Sequence, residues 1–151
     1  MTRAPQGDPA PPGERLMRAR GFSLIELLVV IAIAGILFSI AMPAYQQYIL
    51  SANRTDAIKT LLEVSNSEGE YYTQYNQYTS ALTALGYVSD NVTSENGYYV
   101  VTVTSAQPQT FTLTATPQGG QAQDTHCGTF TLTSLGVRGV TGTEGATHCW
   151  Q

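Results

Sequence analysis

The sequence predicts an α+β protein in which one long N-terminal α-helix, at about residues 22–73, packs on an antiparallel sheet of three or four strands. Three observations predict it. An apolar run covers residues 22–42, a one-sided helical pattern continues to about residue 73, and apolar residues alternate with threonines near the C-terminus. The length of 151 residues suits one domain.

Residues 1–21 are rich in proline, glycine and arginine and show no hydrophobic periodicity. The prolines between Pro9 and Pro12 exclude a helix there. Four of the seven basic residues of the chain fall in this segment: Arg3, Arg15, Arg18 and Arg20. We expect a tail that stays in the cytosol, and Met17 offers a second translation start that the sequence does not distinguish from Met1.

The apolar run at residues 22–43 is long enough to cross a membrane. A helix over residues 22–42 would span roughly 31 Å, which matches the hydrocarbon core of a bilayer. Arginines precede the run closely, and no basic residue follows it before Arg54. The positive-inside rule therefore places the N-terminus in the cytosol and the C-terminal domain on the other side of the membrane.

Pro43 does not end the helical pattern, which continues over residues 44–73. One face recurs at three- and four-residue steps and is predicted to be half-buried, with polar residues on the opposite side. Its members are Tyr45, Tyr48, Ala52, Thr55, Ile58, Leu62, Ser65, Gly69 and Tyr72. A helix near 50 residues far exceeds the average length, so something besides its own domain must bury it.

A connector at residues 74–97 and a small sheet at residues 98–151 are predicted to follow the helix. The connector ends in Asn96-Gly97, a strong turn signal. The predicted strands are Tyr98–Thr104, Thr110–Thr116 and Thr129–Ser134. The alternation of apolar residues and threonines along these strands indicates a sheet with one buried face and one solvent-exposed face. We expect the helix stripe around Ile58, Leu61 and Leu62 to cover the apolar face.

The charge pattern and the absence of catalytic motifs exclude several functions. After residue 21, nine carboxylates face only three basic residues, for a formal charge of about −6. This negative charge argues against a protein whose whole surface binds nucleic acid. A local basic stripe would have to be built from only three residues, Arg54, Lys59 and Arg138. The sequence has no phosphate loop, zinc-hydrolase motif or nucleophile elbow, so we expect no enzyme and no cofactor.

Glu26 is the only ionisable residue in the apolar run. A carboxylate at the bilayer centre costs about 2.5–3.5 kcal/mol on insertion scales, so it marks a functional site and needs a cation. The run encodes none. Cleavage after Gly21 would create a free α-amine at Phe22, which a neighbouring subunit could present to Glu26.

The octapeptide Arg20-Gly21-Phe22-Ser23-Leu24-Ile25-Glu26-Leu27 resembles the type IV prepilins. The resemblance implies leader cleavage between Gly21 and Phe22, N-methylation of Phe22 and subunit recruitment through Glu26. Gly35 and Pro43 match the glycine and proline between which pilin helices soften. It also implies a pilin fold, a prepilin peptidase and methylase, an inner-membrane assembly platform, and a final place in an extracellular pilus with other pilin subunits.

Two other interpretations of the apolar run stay open. Arg18, Arg20 and the segment Ser39-Ile40-Ala41 would fit a secretory signal cleaved after Ala41, although the run is long for one and contains Glu26. A plain single-pass anchor would leave Glu26 unexplained.

Cys127 and Cys149, the only cysteines, are predicted to form a disulfide in an oxidising compartment. His126 and His148 precede them, so a zinc site of two histidines and two cysteines is the alternative. Neighbouring residues on an extended strand point to opposite faces, which disfavours it. We expect no metal.

The C-terminal half, with its Cys127-Gly128-Thr129 strand start and its Cys149-Trp150 end, resembles PilE-like minor pilins and the ComP-type DNA-uptake pilins. This resemblance implies a disulfide-bounded loop and the role of a minor pilus subunit that takes part in pilus assembly, adhesion, motility or DNA uptake. A DNA receptor using Arg54, Lys59 and Arg138, or a pseudopilin of a secretion system, are the rival functions. The tyrosines 71, 72, 75 and 78 are predicted to cover a sheet edge, with an adhesive surface as the alternative.

Overall fold

The computed structural model describes residues 22–151. The predicted leader, including Gly21 and Met17, lies outside them. The described residues fall into two units, residues 22–39 and residues 40–151. The elements are α1 Leu24–Tyr75, β1 Val92–Thr93, β2 Tyr99–Gln107, β3 Thr110–Pro117, β4 Phe130–Thr133, β5 Arg138–Val140 and α2 Ala146–Cys149, with 3₁₀ turns at Leu82–Leu85 and Gly119–Gln123.

The long helix is confirmed, and it runs unbroken through Pro43. Its end at Tyr75 has a local cause. Asn76 adopts a left-handed backbone with φ of 55°, and its N–H donates to the carbonyl of Tyr72 at 2.8 Å. Asparagine tolerates this conformation, which closes the last helical turn.

The sheet is an antiparallel meander in which each strand pairs with the next along the chain. The predicted three or four strands become five, because the sheet adds β1 at one edge and β5 at the other. Both are too short for a period-two pattern to identify. On β3, Phe111, Leu113 and Ala115 are buried between more open threonines, which confirms the predicted alternation.

The prediction that the helix stripe around Ile58, Leu61 and Leu62 covers the sheet is right for Leu61 and Ile58, which belong to or pack against the core, and wrong for Leu62. Ala57, Leu61 and Val64 are fully buried, whereas Leu62 is 41% exposed. The buried stripe also contains Arg54 and Glu68. These two charged residues interrupt the apolar pattern of the buried stripe. The sequence pattern therefore favoured the neighbouring stripe, which contains Leu62, as the buried face. The core is completed by apolar residues of the sheet and the C-terminal segment, including Tyr99, Val101, Leu113, Phe130 and Trp150.

Candidate functional site

Glu26 lies in the first turn of α1, close to Phe22. The helix begins at Leu24, and the N–H of Leu27 donates to the carbonyl of Ser23 at 3.2 Å. A carboxylate is favoured at a helix N-terminus, where backbone N–H groups are unpaired. Within residues 22–151, Glu26 takes part in no ion pair, and the first cationic side chain is Arg54. Its partner therefore does not come from this part of the chain.

The first 20 or so residues of the described chain present apolar side chains that nothing in residues 22–151 covers. Phe22 is 83% exposed, and Ile36 and Phe38 are 63% and 66% exposed. The most apolar window of α1 has a mean hydropathy of 2.8, and α1 is long and apolar enough to cross a membrane. A soluble core helix would bury such residues; this half of α1 needs lipid or other chains.

Gly35 and Pro43 both lie inside continuous helix in this structure. Pro43 has no N–H, so the carbonyl of Ser39 lacks its intrahelical donor. A Cβ placed on Gly35 would meet no atom within 4 Å, so close packing within the chain does not require a glycine. Softening of the helix between the two positions stays a prediction.

The predicted disulfide between Cys127 and Cys149 is confirmed, with the Cα atoms 5.8 Å apart. Both sulfurs are joined in this bridge, so neither is a thiolate that could bind zinc. The bridge joins the segment just before β4 to α2. Beside it, Trp150 packs against Phe130 with the ring centroids 5.7 Å apart. The C-terminus is thereby tied into the core.

Arg54 binds Asp124 through two hydrogen bonds beneath this loop. Its Nε donates to Oδ2 at 2.7 Å and its second terminal nitrogen donates to Oδ1 at 2.9 Å. The side chains are 8% and 0% exposed, and the hydrogen bond to Asp124 raises the pKa of Arg54. Oδ1 of Asp124 also accepts from the N–H of Cys127 at 3.3 Å. The pair thus joins α1 to the disulfide-bounded loop.

The three basic residues considered for DNA contact are in different situations. Arg54 is buried in its ion pair and does not present its charge to the surface, which corrects its inclusion as a contact. Lys59 is exposed but pairs with Glu95, and this partner raises its pKa. Arg138 is exposed and lies over the Trp150 ring, 5.2 Å from its centroid. The structure does not bring the three together.

Sequence reasoning missed a buried polar network beside the ion pair. Gln121 is 2% exposed, and its amide donates to the Leu50 carbonyl and the Tyr99 hydroxyl, both at 3.0 Å. Asn53 donates to the Gln121 side-chain carbonyl at 3.0 Å. Burial raises the pKa of Tyr99 to about 12. Gln121 is one of three glutamines in this glycine-containing turn, and nothing in the sequence distinguishes it from Gln118 and Gln123.

Glu68 is the second buried charged residue of α1 and is fully enclosed. The N–H of Thr79 donates to its Oε2 at 3.2 Å, while Oε1 has no hydrogen-bond partner within the described residues. Burial raises the pKa of its carboxyl. Through this hydrogen bond Glu68 connects α1 to Thr79 of the connector.

The tyrosines divide into two pairs. Tyr72 and Tyr78 follow the predicted covering role, because Tyr78 meets Phe111 edge to face at 4.8 Å and Tyr72 lies 4.6 Å from Tyr78. Tyr71 and Tyr75 instead stack on each other at 4.4 Å, and Tyr75 is 59% exposed. Only the first pair belongs to the packing of the sheet.

Comparison with known proteins places these features in one family. Residues 43–131 match the model described as type IV minor pilin ComP, DNA uptake sequence receptor, and residues 16–42 match the prokaryotic N-terminal methylation motif. The first match alone covers more than half of the chain. The chain belongs to the ComP family of type IV pilins.

Relatives of this pilin are found among Neisseria and Eikenella proteins. A fimbrial protein of Neisseria meningitidis serogroup A is 40% identical over 84 residues, which is 56% of this chain and 48% of that protein. Fimbrial protein EcpC of Eikenella corrodens is 37% identical over 98 residues, 64% of this chain and 61% of that protein. The pilin thus spans about half the length of the first of these relatives.

The fold has a counterpart among solved structures. The crystal structure of the Neisseria meningitidis non-core minor pilin PilV aligns with a TM-score of 0.50 at 23% identity, covering 64% of this chain and 90% of that one. At that identity the likeness concerns the fold alone. With the helix, the antiparallel sheet and the disulfide, it confirms the pilin fold predicted from the sequence.

Proposed function

We propose that this pilin is a minor subunit of a type IV pilus, stored in the inner membrane and added to the filament after residues 1–21 are removed. The uncovered apolar half of α1 supports this function most directly. Each large apolar side chain moved from water into lipid or a helix bundle gains about 1.5–3 kcal/mol. Lipid covers these residues before assembly, and the helices of neighbouring subunits cover them afterwards.

Glu26 gives this assembly its register. Cleavage between Gly21 and Phe22 by a prepilin peptidase leaves a cationic amine at Phe22, which the same enzyme class methylates. The amine of one subunit then pairs with the Glu26 carboxylate of its neighbour in a medium of low dielectric constant, where opposite charges attract strongly. A subunit without this pairing would leave a carboxylate stranded among apolar helices.

The positive-inside rule gives the orientation of the stored subunit, because the arginines that precede α1 keep the N-terminus in the cytosol. The disulfide-bearing domain then lies on the oxidising side, where the bridge between Cys127 and Cys149 forms. Assembly from there requires an inner-membrane platform and other pilin subunits.

Replacing Glu26 tests the proposal. We expect Glu26→Ala to accumulate in the membrane with its leader removed and its disulfide intact, but to be strongly depleted from sheared filaments. Glu63→Ala is the matched control, because Glu63 is an exposed carboxylate on the same helix with no ion pair among the described residues. Normal incorporation of Glu26→Ala would refute the pairing, and absence of the unmodified chain from filaments would refute the pilus role.

Binding of duplex DNA is the second candidate function, favoured by the match to a family described as a DNA uptake sequence receptor. Among the three basic residues, Arg138 is the best placed for a phosphate, because it is exposed and carries no carboxylate partner within residues 22–151. Removing one phosphate contact lowers the salt slope of binding by about one. We expect Arg138→Ala to show this smaller salt slope and Lys59→Ala to keep the slope of the unmodified chain. An affinity that does not depend on salt would exclude contacts to DNA phosphates.

A further inference from the structure

The chain has two histidines, and both contact the carboxylate of Glu144. Nδ1 of His126 lies 3.1 Å from Oε1 of Glu144, and Nε2 of His148 lies 3.1 Å from Oε2 of the same residue. We propose that His126, Glu144 and His148 form a surface site for a divalent transition-metal ion of the Zn²⁺ or Cu²⁺ type.

The backbone holds the three ligands in place before any ion binds. Each histidine directly precedes a bridged cysteine, so the disulfide sets the distance between them. The N–H of Glu144 donates to the carbonyl of His126 at 2.8 Å, which fixes the third ligand against the first. A Cβ on Gly142 would overlap that same carbonyl, so the close approach of the two segments requires glycine.

The donor set has the chemistry of a zinc site rather than of a calcium site. Two imidazoles and one carboxylate are common protein ligands of Zn²⁺, whereas Ca²⁺ and Mg²⁺ take oxygen ligands. The cysteine sulfurs are already used in the disulfide. Three protein ligands leave a fourth position of a tetrahedral ion open to water.

The donor atoms of the three residues do not yet surround one point, so binding requires both imidazoles to move. Ligand atoms on one tetrahedral ion lie about 3.4 Å apart for bonds of about 2.1 Å, close to the present nitrogen–oxygen distances. Each imidazole now contacts a different carboxylate oxygen, so both must rotate towards a single point. The histidine side chains are 42% and 64% exposed, which leaves room for that rotation.

Local charge does not oppose a cation. Arg54 lines the same cleft as the three ligands, together with Gln47 and Ser51. Its charge is offset by the bidentate pair with Asp124. The remaining charge in the cleft is the Glu144 carboxylate, which favours a divalent ion when the imidazoles are neutral.

Titration of the full, untagged, oxidised chain in detergent with Zn²⁺ tests the site by calorimetry, and quenching by Cu²⁺ of the single tryptophan, Trp150, provides a second signal. We expect about one ion per chain. Acid should weaken binding, because protons compete with the metal ion for its ligands.

Single variants His126→Asn, His148→Asn and Glu144→Gln should each weaken binding by on the order of tenfold or more. All three side chains are at least partly exposed, so the fold should survive, and unchanged circular dichroism checks this. Glu63→Gln, a carboxylate on α1 far along the chain, should bind like the unmodified protein. No saturable binding, or equal binding by the three variants, overturns the proposal.

Discussion

Breaking the pair between Arg54 and Asp124 should unfold the disulfide-bearing domain at a much lower temperature. The two side chains are 8% and 0% exposed and joined by hydrogen bonds of 2.7 and 2.9 Å. Removing one partner of a buried pair leaves the other charge without compensation, which costs about 3–5 kcal/mol. For a domain of this size, that lowers the melting temperature by on the order of 10–20 °C.

The measurement is thermal unfolding of Arg54→Leu and Asp124→Leu, each as the full oxidised chain in detergent, followed by Trp150 fluorescence. The double variant should recover much of the loss, because no uncompensated charge remains. Recovery is incomplete, since Asp124 also accepts from the N–H of Cys127.

Lys59→Leu provides the matched control. Lys59 lies on the same helix as Arg54 and forms an exposed pair with Glu95, and such pairs contribute little to stability. It should melt with the unmodified chain. The reasoning would be refuted if Arg54→Leu also melted unchanged, or if the losses of the two single variants simply added in the double variant.

Three further predictions concern the same domain. Burial raises the pKa of the Glu68 carboxyl, so the contribution of Glu68 to stability is present at acid pH and is lost as the pH rises through the folded-state pKa. In urea unfolding at pH 8, Glu68→Gln should therefore be more stable than the unmodified chain. This advantage should disappear near pH 4. Replacing Cys127 and Cys149 by alanine, which opens a loop with a separation of 22 residues, should cost about 3 kcal/mol by the chain-entropy model, measured by the same unfolding curves. Gly142→Ala should lower the melting temperature clearly, whereas Gly145→Ala, where a Cβ meets open space, should not; equal effects would contradict the packing argument.

The large features of the fold were accessible to sequence reasoning because each had a strong local signal. The apolar run predicts the long helix, the threonine alternation predicts the sheet, and the lone cysteine pair predicts the disulfide. The octapeptide around Glu26 identified the family. All of these depend on neighbouring residues or on a composition that admits few alternatives.

The inner stripe of the helix was predicted only in part, because long-range pairing decides where it lies. Arg54 and Glu68 lie among the buried residues of α1, and only the fold supplies Asp124 and the N–H of Thr79 as their partners. A charged residue in a helical pattern normally indicates the solvent side. In the cluster of His126, Glu144 and His148, the contact of His126 with Glu144 is likewise long-range, since the disulfide and the backbone pairing create it.

The chemical identity of the N-terminus in the assembled filament tests the central claim most directly. Mass spectrometry and N-terminal sequencing of the chain recovered from sheared pili should find an N-methylated Phe22 as the first residue, with Cys127 and Cys149 oxidised. Chains in filaments that still carry residues 1–21, or that begin at Met42, would contradict the pairing of a new cationic chain end with Glu26.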